Sequence, residues 1–390
     1  MEKAQDHINL GLAFLISKRY DDAIQEFRKA LDLNPNDAEV LAHLGTIYAN
    51  IGNYSEAEQY YLKSLSINAL NINAHCKLGL LFEVQGKYDS AILEFKKSIE
   101  LNSEDAGLHN NLGNVYSKVG RFQEALQEYQ ICLKINSNNA EFHFKTGFVF
   151  EQLGQLDEAI MAYETALKIN PKHAAIYSIL GNAYLKKGSF SEAIQTYEMA
   201  LNLNPFDLET PIKLGQAYMT LGQLDKAFEL LNQALEKNPK NPEVFFKLGN
   251  LYASRGQHDE AVQMYQKVLE INPHDSSAHN VLGYIYDRQG EWEKAIQEYE
   301  KAKKITPKDL MILDTLANLY YKTGRLDESI VEFKELLEID SKHADAYAKL
   351  GNIFLKRHDK DLAIANWNKA LELEPNNEIL RSNLKIVQER

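Results

Sequence analysis

The sequence predicts an all-α array of stacked helix pairs, and three observations predict it. Displacing the chain against itself by 34 residues reproduces its landmarks from Ala4 to Asn377 with no insertion or deletion. Within each 34-residue frame, glycine, aromatic and alanine positions recur at helical spacing. After the second helical stretch comes Leu/Ile-Asn-Pro or a close variant, with Pro35, Pro171, Pro205, Pro239, Pro273, Pro307 and Pro375, and proline stops a helix. A fixed period of this length marks an array whose units each bury a face only against their neighbours. The reading is one array over 1–390, with frames 4–37, 38–71, 72–105, 106–139, 140–173, 174–207, 208–241, 242–275, 276–309, 310–343 and 344–377.

Taking Ala174 as position 1, the elements of the frame follow in order. Position 8 is Gly in ten frames, with Ala317 the exception, and lies amid helix formers. Glycine there costs about 1 kcal/mol relative to alanine, which is tolerable where another helix must come close. Position 11 is aromatic in every frame, Phe14 to Phe354. Position 15 is Gly in nine frames, with Lys18 and His358 in the end frames, and fits a helix C-terminus turning into a second helix. In that second helix the small residue at position 20 and the aromatic at position 24 supply the small and large partners of an interlocking pair. Position 24 departs from aromatic only at Leu231, and position 20 from Ala only at Ser329. Pro211 at position 4 is expected to perturb the first turn of its helix. Beyond Asn377, residues 378–390 carry Ile379, Leu380, Leu384 and Val387 at helical spacing and are predicted to form a capping helix.

Composition narrows the function classes. Forty-three Lys and Arg against 55 Asp and Glu give a net charge of −12. General binding to nucleic acid or anionic membranes, which needs a basic excess, is not expected. Cys76 and Cys132 stand alone, so neither a disulfide framework nor a zinc site is predicted, and no metal or cofactor is expected. With no apolar run approaching about 18 residues and no leader pattern, the expectation is a soluble cytoplasmic protein without direct membrane insertion.

The Leu-Gly-x-x-Tyr, Ala-x-x-x-Tyr and Asn-Pro marks at this period resemble the tetratricopeptide repeat over nearly the whole chain. That resemblance implies an α-solenoid of antiparallel helix pairs wound into a right-handed superhelix. It further implies that the first helices line a concave groove with side chains from positions 2, 5, 6, 9, 12 and 13.

Read with that expectation, the columns carry a candidate peptide-binding site. Position 9 holds Asn114, Asn182, Asn250, Asn318 and Asn352, with Gln216 between, and an amide offers both donors and an acceptor to an extended backbone. Position 6 holds Lys77, Lys145, Lys213, Lys247 and Lys349, with Asn111. Position 13 holds Lys118, Lys186, Arg288, Lys322 and Lys356. These three columns contain ten cations and no carboxylate, which suits an acidic or polar partner chain. Cations at position 13 also complement a helix C-terminus, so part of the pattern has a purely local account. Positions 5 and 12 include Asp314, Glu83, Glu151 and Asp287, so the face is zoned.

The early frames differ. Ile8, Leu12, Leu15 and Ile16, then Leu80, Val84, Phe144 and Phe148, put apolar groups on the same face. They mark a docking patch, a homo-oligomer contact through the first frame, or packing of an N-terminal cap. Position 5 holds no Lys and position 2 no cation, so the carboxylate clamp of chaperone adaptors is not expected. His7, His75, His109, His143 and His279 share position 4, a packing site elsewhere, at about 10 Å per unit, too far apart to share a metal. No nucleophile, phosphate loop or metal cluster is seen, so the chain is expected not to be an enzyme. The expectation is a scaffold that binds an extended peptide or partner protein. Two alternatives stand beside it: a self-assembling platform, and a recognition arm resembling the repeat region of O-GlcNAc transferases with catalysis on another chain.

Overall fold

The structure, a computed structural model, describes residues 2–388, among which lie 23 helices and no strand. Eleven helix pairs run from α1 (Glu2–Ile16) and α2 (Tyr20–Leu33) to α21 (Ala344–Lys356) and α22 (Lys360–Leu373), followed by α23 (Glu378–Gln388). The helices group into two compact units, one up to Phe206 and one from Asp207.

Position 34 of one frame starts the first helix of the next. The Asp37 carboxylate accepts the Glu39 and Val40 amides at the head of α3 (Ala38–Asn50), and Asn139, Asn241 and Asp309 act in the same way. The helix then ends on a left-handed residue. Gly188, at φ 82°, turns the chain so that the Ser189 amide reaches back to the Tyr184 carbonyl, and α12 (Phe190–Leu203) begins at once. In the end frames Lys18 and His358 take the same conformation, at φ 58° and 63°, without glycine's freedom.

The position-8 glycines serve a different end. A Cβ added at Gly181 would stand 2.6 Å from the Tyr197 ring, and Gly11, Gly45, Gly79 and Gly113 meet Phe27, Tyr61, Phe95 and Tyr129 in the same way. The ring of the second helix in these pairs therefore packs directly against the backbone of the first. At Gly215 the partner is Leu231, and the nearest atom recedes to 3.2 Å. Ala317 is buried in one core cluster with Phe333, and the Ser329 hydroxyl donates to the Ala317 carbonyl at 2.7 Å.

Core layers form where one pair meets the next. Ala23, Phe27 and Ala30 of α2 pack against Val40, Leu44 and Ile47 of α3, and this layer recurs along each unit. Successive first helices also touch, as α3 does α5 (Ile72–Val84) and α13 (Thr210–Thr220) does α15 (Pro242–Ser254). Pro211 has the expected effect: α13 begins at position 3 of its frame, and the Thr210 hydroxyl bonds the Asp207 carboxylate. In α23, Leu380, Leu384 and Val387 pack on the last core layer.

Candidate functional site

The candidate columns lie on the first helices, and the amides among them are tied to the core. The buried ring at position 24 of the second helix reaches through to position 9 of the first. Tyr129 donates its hydroxyl to Asn114 Oδ1 at 2.9 Å, Tyr197 to Asn182 at 2.7 Å and Tyr265 to Asn250 at 2.6 Å. Trp367 Nε1 donates to Asn352 Oδ1 at 3.2 Å. Burial pushes the Tyr197 and Tyr265 hydroxyls well above their ordinary range, so they stay neutral and able to donate. The amide oxygen is thus consumed inside the protein, and the NH2 group of Asn114, Asn182, Asn250 and Asn352 has no partner among the described residues.

This changes the expectation of amides offering both donors and acceptors. Four of them present donors only. Asn318 is the reverse case: Phe333 has no hydroxyl, so the Asn318 NH2 turns to the Asp314 carbonyl and carboxylate at 2.7 and 2.9 Å. Gln216, opposite Leu231, accepts from Lys247 at 2.8 Å. Asn111 donates weakly to the Cys76 sulfur at 3.8 Å. The signal was present in the sequence, since Phe27 and Phe95 face Leu12 and Leu80, while Tyr61 faces Thr46 and bonds it at 3.1 Å.

The cation columns are less bare than their own composition suggests. A position-13 lysine reaches the position-12 acid of the preceding frame: Lys118 to Glu83 at 2.5 Å, Lys186 to Glu151 at 2.6 Å and Lys322 to Asp287 at 2.9 Å. At position 6, Lys145 binds Glu141 and the Asn110 oxygen, both at 2.7 Å, and Lys349 lies 2.5 Å from Asp345 and 3.5 Å from Asp314. Lys213 stands 4.0 Å from Glu209. Each acid occupies a neighbouring column, so a tally of three columns misses it. Lys77, Lys247, Arg288 and Lys356 make no ion pair among the described residues, and Lys356 instead lies 4.0 Å over the Tyr321 ring.

The apolar patch divides in two. Ile8, Leu12 and Leu15 are partly buried and pack against the first core layer. Leu80 packs on Ala91, Phe95 and their neighbours, and the Phe144 ring lies 5.9 Å from that of Tyr163. Ile16, Val84 and Phe148 remain exposed, at 84%, 67% and 42%. Five of the eight expected patch residues are therefore largely structural.

The histidine column is also structural, through a partner that sequence reasoning missed. His75 Nε2 donates to the Ala69 carbonyl at 3.1 Å, and Nδ1 meets Glu94 at 2.5 Å. His7 with Glu26, His109 with Glu128 and His279 with Glu298 repeat the pair at 2.6 Å, nineteen residues apart. Ala162 stands in that place opposite His143, which keeps only the carbonyl bond, at 2.9 Å. Among the described residues no group of three His, Cys, Asp or Glu could hold a metal ion, and no helix is long and apolar enough to cross a membrane.

Comparison with known proteins agrees with this architecture. The family model described as tetratricopeptide repeat matches residues 14–75 and 252–319, and a second of that description matches 106–139 and 344–377. The model for the TPR domain of cytochrome c-type biogenesis protein H matches 155–279, and a TPR repeat model matches 84–120 and 317–357. No curated protein matches the chain. Among solved structures, a MamA protein is 31% identical, with 44% of this chain and 94% of that one covered, at a TM-score of 0.39. YrrB, described as a TPR protein with an unusual peptide-binding site, is 25% identical over 46% of this chain and 92% of its own, at a TM-score of 0.42. Yeast Tom70 is 16% identical over 100% of this chain and 95% of its own, at a TM-score of 0.47. From its helix pairs and the repeat-family models that match along it, the chain belongs to the tetratricopeptide repeat family.

Proposed function

We propose that the first-helix face binds an extended segment of another protein, so that the chain serves as an interaction scaffold rather than as a catalyst. The observation that carries this reading is the set of amides at Asn114, Asn182, Asn250 and Asn352. Each has its oxygen fixed by a buried donor and its NH2 left unmatched. An extended chain presents a row of carbonyl oxygens, the complement of such donors. The bond to the core ring holds each amide in one orientation, which lowers the ordering cost of binding.

The protein supplies its own test. Two of the three frames with Phe at position 24 carry Leu at position 9, so Asn182→Leu with Tyr197→Phe converts one unit to a pairing found at Leu80 and Phe95. The double variant should fold normally while deleting one donor. Peptides selected by display on the immobilised chain should lose about threefold to tenfold in affinity for it, the worth of roughly one hydrogen bond. Peptides that bind the double variant unchanged, or a selection that yields no binder, would contradict the reading.

A further inference from the structure

This inference rests on the proposed reading that the first-helix face receives an extended chain, and names the chemistry of that chain. We infer that the face of the second unit, from Asp207 onward, takes a protein segment with carboxylates at every third residue. Three cations of that face lack a carboxylate. Lys247 donates to the neutral Gln216 oxygen at 2.8 Å, Lys356 rests 4.0 Å over the Tyr321 ring, and Arg288 is exposed with no ion pair among the described residues. Asn250 and Asn352 add amide donors whose oxygens are already taken.

The acids of the same face are largely committed. Asp287 pairs with Lys322, and Asp314 and Asp345 share Lys349. Glu209 stands 4.0 Å from Lys213. Glu243 sits in the first turn of α15, where the helix N-terminus favours a negative charge. The unspent hydrogen-bonding and charge capacity of this face is therefore mostly that of a donor and a cation, and its complement is an anionic chain. In the first unit Lys118, Lys145 and Lys186 each have a carboxylate, Lys77 being the one face lysine without an ion pair among the described residues, and the exposed remainder includes Ile16, Val84 and Phe148.

The spacing follows from two periodicities. Packed helices stand about 8–10 Å apart. A polyproline-II chain rises about 3.1 Å per residue with three residues per turn, so every third side chain returns to one side after about 9 Å. A carboxylate at every third residue then comes level with successive frames, of which 242–275, 276–309 and 344–377 carry the unpaired cations Lys247, Arg288 and Lys356. The overall charge of −12 disfavours phosphate polymers, which demand a broad basic surface, and leaves a locally acidic peptide as the fitting anion.

The test uses the full chain and a fluorescent 15-residue peptide of Gly, Ser and Pro with Glu at every third position, its Gln analogue, and a single-stranded oligonucleotide. By anisotropy the Glu peptide should bind about tenfold tighter than the Gln peptide at low salt, an advantage that shrinks as salt is raised. The variant Lys247→Ala/Arg288→Ala/Lys356→Ala should erase that advantage. Lys118→Ala/Lys186→Ala/Lys322→Ala, which removes ion-paired lysines, should preserve it, and both should keep the wild-type circular dichroism. Equal binding of the Glu and Gln peptides would overturn the carboxylate inference and leave the extended-chain reading standing. Binding of neither peptide would count against both, and tighter binding of the oligonucleotide would replace the acidic peptide as the partner class.

Discussion

The two units are built from the same frame and finish their first-helix faces differently. Up to Phe206, three of the four lysines on that face are matched by acids, Lys118 by Glu83, Lys145 by Glu141 and Lys186 by Glu151, with Lys77 the exception, while Ile16, Val84 and Phe148 stay exposed. From Asp207 onward, Lys247, Arg288 and Lys356 have no carboxylate partner among the described residues. A repeat that fixes packing columns strictly leaves its ligand columns free to diverge, because the latter sit outside the core layers. One scaffold can thus offer an apolar and neutralised face in one unit and a cationic one in the other.

The largest effect should come from the packing they share. Gly181→Val drives a branched side chain into Tyr197, where even a Cβ would stand 2.6 Å from the ring, and should cost about 3 kcal/mol or more in a chemical denaturation. In the second unit Gly215→Ala meets only Leu231 at 3.2 Å and gains helix propensity, so its change should stay within about 1 kcal/mol. Equal losses would show that the rings do not set the glycine column.

Next are the histidine pairs, of which the first unit holds three and the second one. His75→Phe leaves buried Glu94 with Lys97 but without the histidine on its second oxygen and should lower stability by about 2 kcal/mol. Adding Glu94→Met reproduces the pairing of Phe245 with Met264 and should recover most of the loss in thermal melts. Failure of that rescue would mean that the histidine acts through packing alone.

Alkaline titration distinguishes the units by a smaller margin. Burial pushes Tyr61 up to about 12, and burial together with the Glu164 carboxylate does the same to Tyr184. Tyr129, Tyr163 and Tyr197 are raised further in the first unit, as are Tyr265, Tyr299 and Tyr320 in the second. A phenol whose folded value is raised holds its proton in the folded state after the unfolded chain has lost it. The stability it gives is therefore complete below pH 10 and declines as pH rises toward the folded value. By pH 11 the buried Tyr61 alone should account for about 1 kcal/mol, and the first unit should lose structure before the second. The smallest effect belongs to the paired lysines. Lys118→Ala breaks an exposed ion pair and should change stability by no more than about 0.5 kcal/mol.

The period, the helix pairs and the displaced start of α13 were legible because each depends on residues whose backbone consequences are local: proline, left-handed glycine, and a ring beside a hydrogen. The meaning of the amide column was legible only in part. It needed position 9 to be read together with position 24, where Tyr opposes Asn or Thr and Phe opposes Leu in most frames. The His75 and Glu94 pairing, nineteen residues apart, was visible in the same way and was passed over because each column was read alone. Which lysines remain unpaired was not legible, since Lys186 and Lys247 differ in which neighbour lies within reach of a flexible ammonium group. Packing of Ile8, Leu12 and Leu15 was one of three readings the sequence left open, and the choice depends on how the first pair closes on the second.

The central claim is that amides held by core rings receive another protein's chain. Selective side-chain amide NMR of asparagine, recorded while the Glu-bearing peptide is titrated into the full chain, tests it most directly. The account predicts that the NH2 resonances of Asn250 and Asn352 shift on binding, and that Tyr265→Phe weakens the shift at Asn250 while leaving Asn352 responsive. Saturable binding with both resonances unmoved would contradict it.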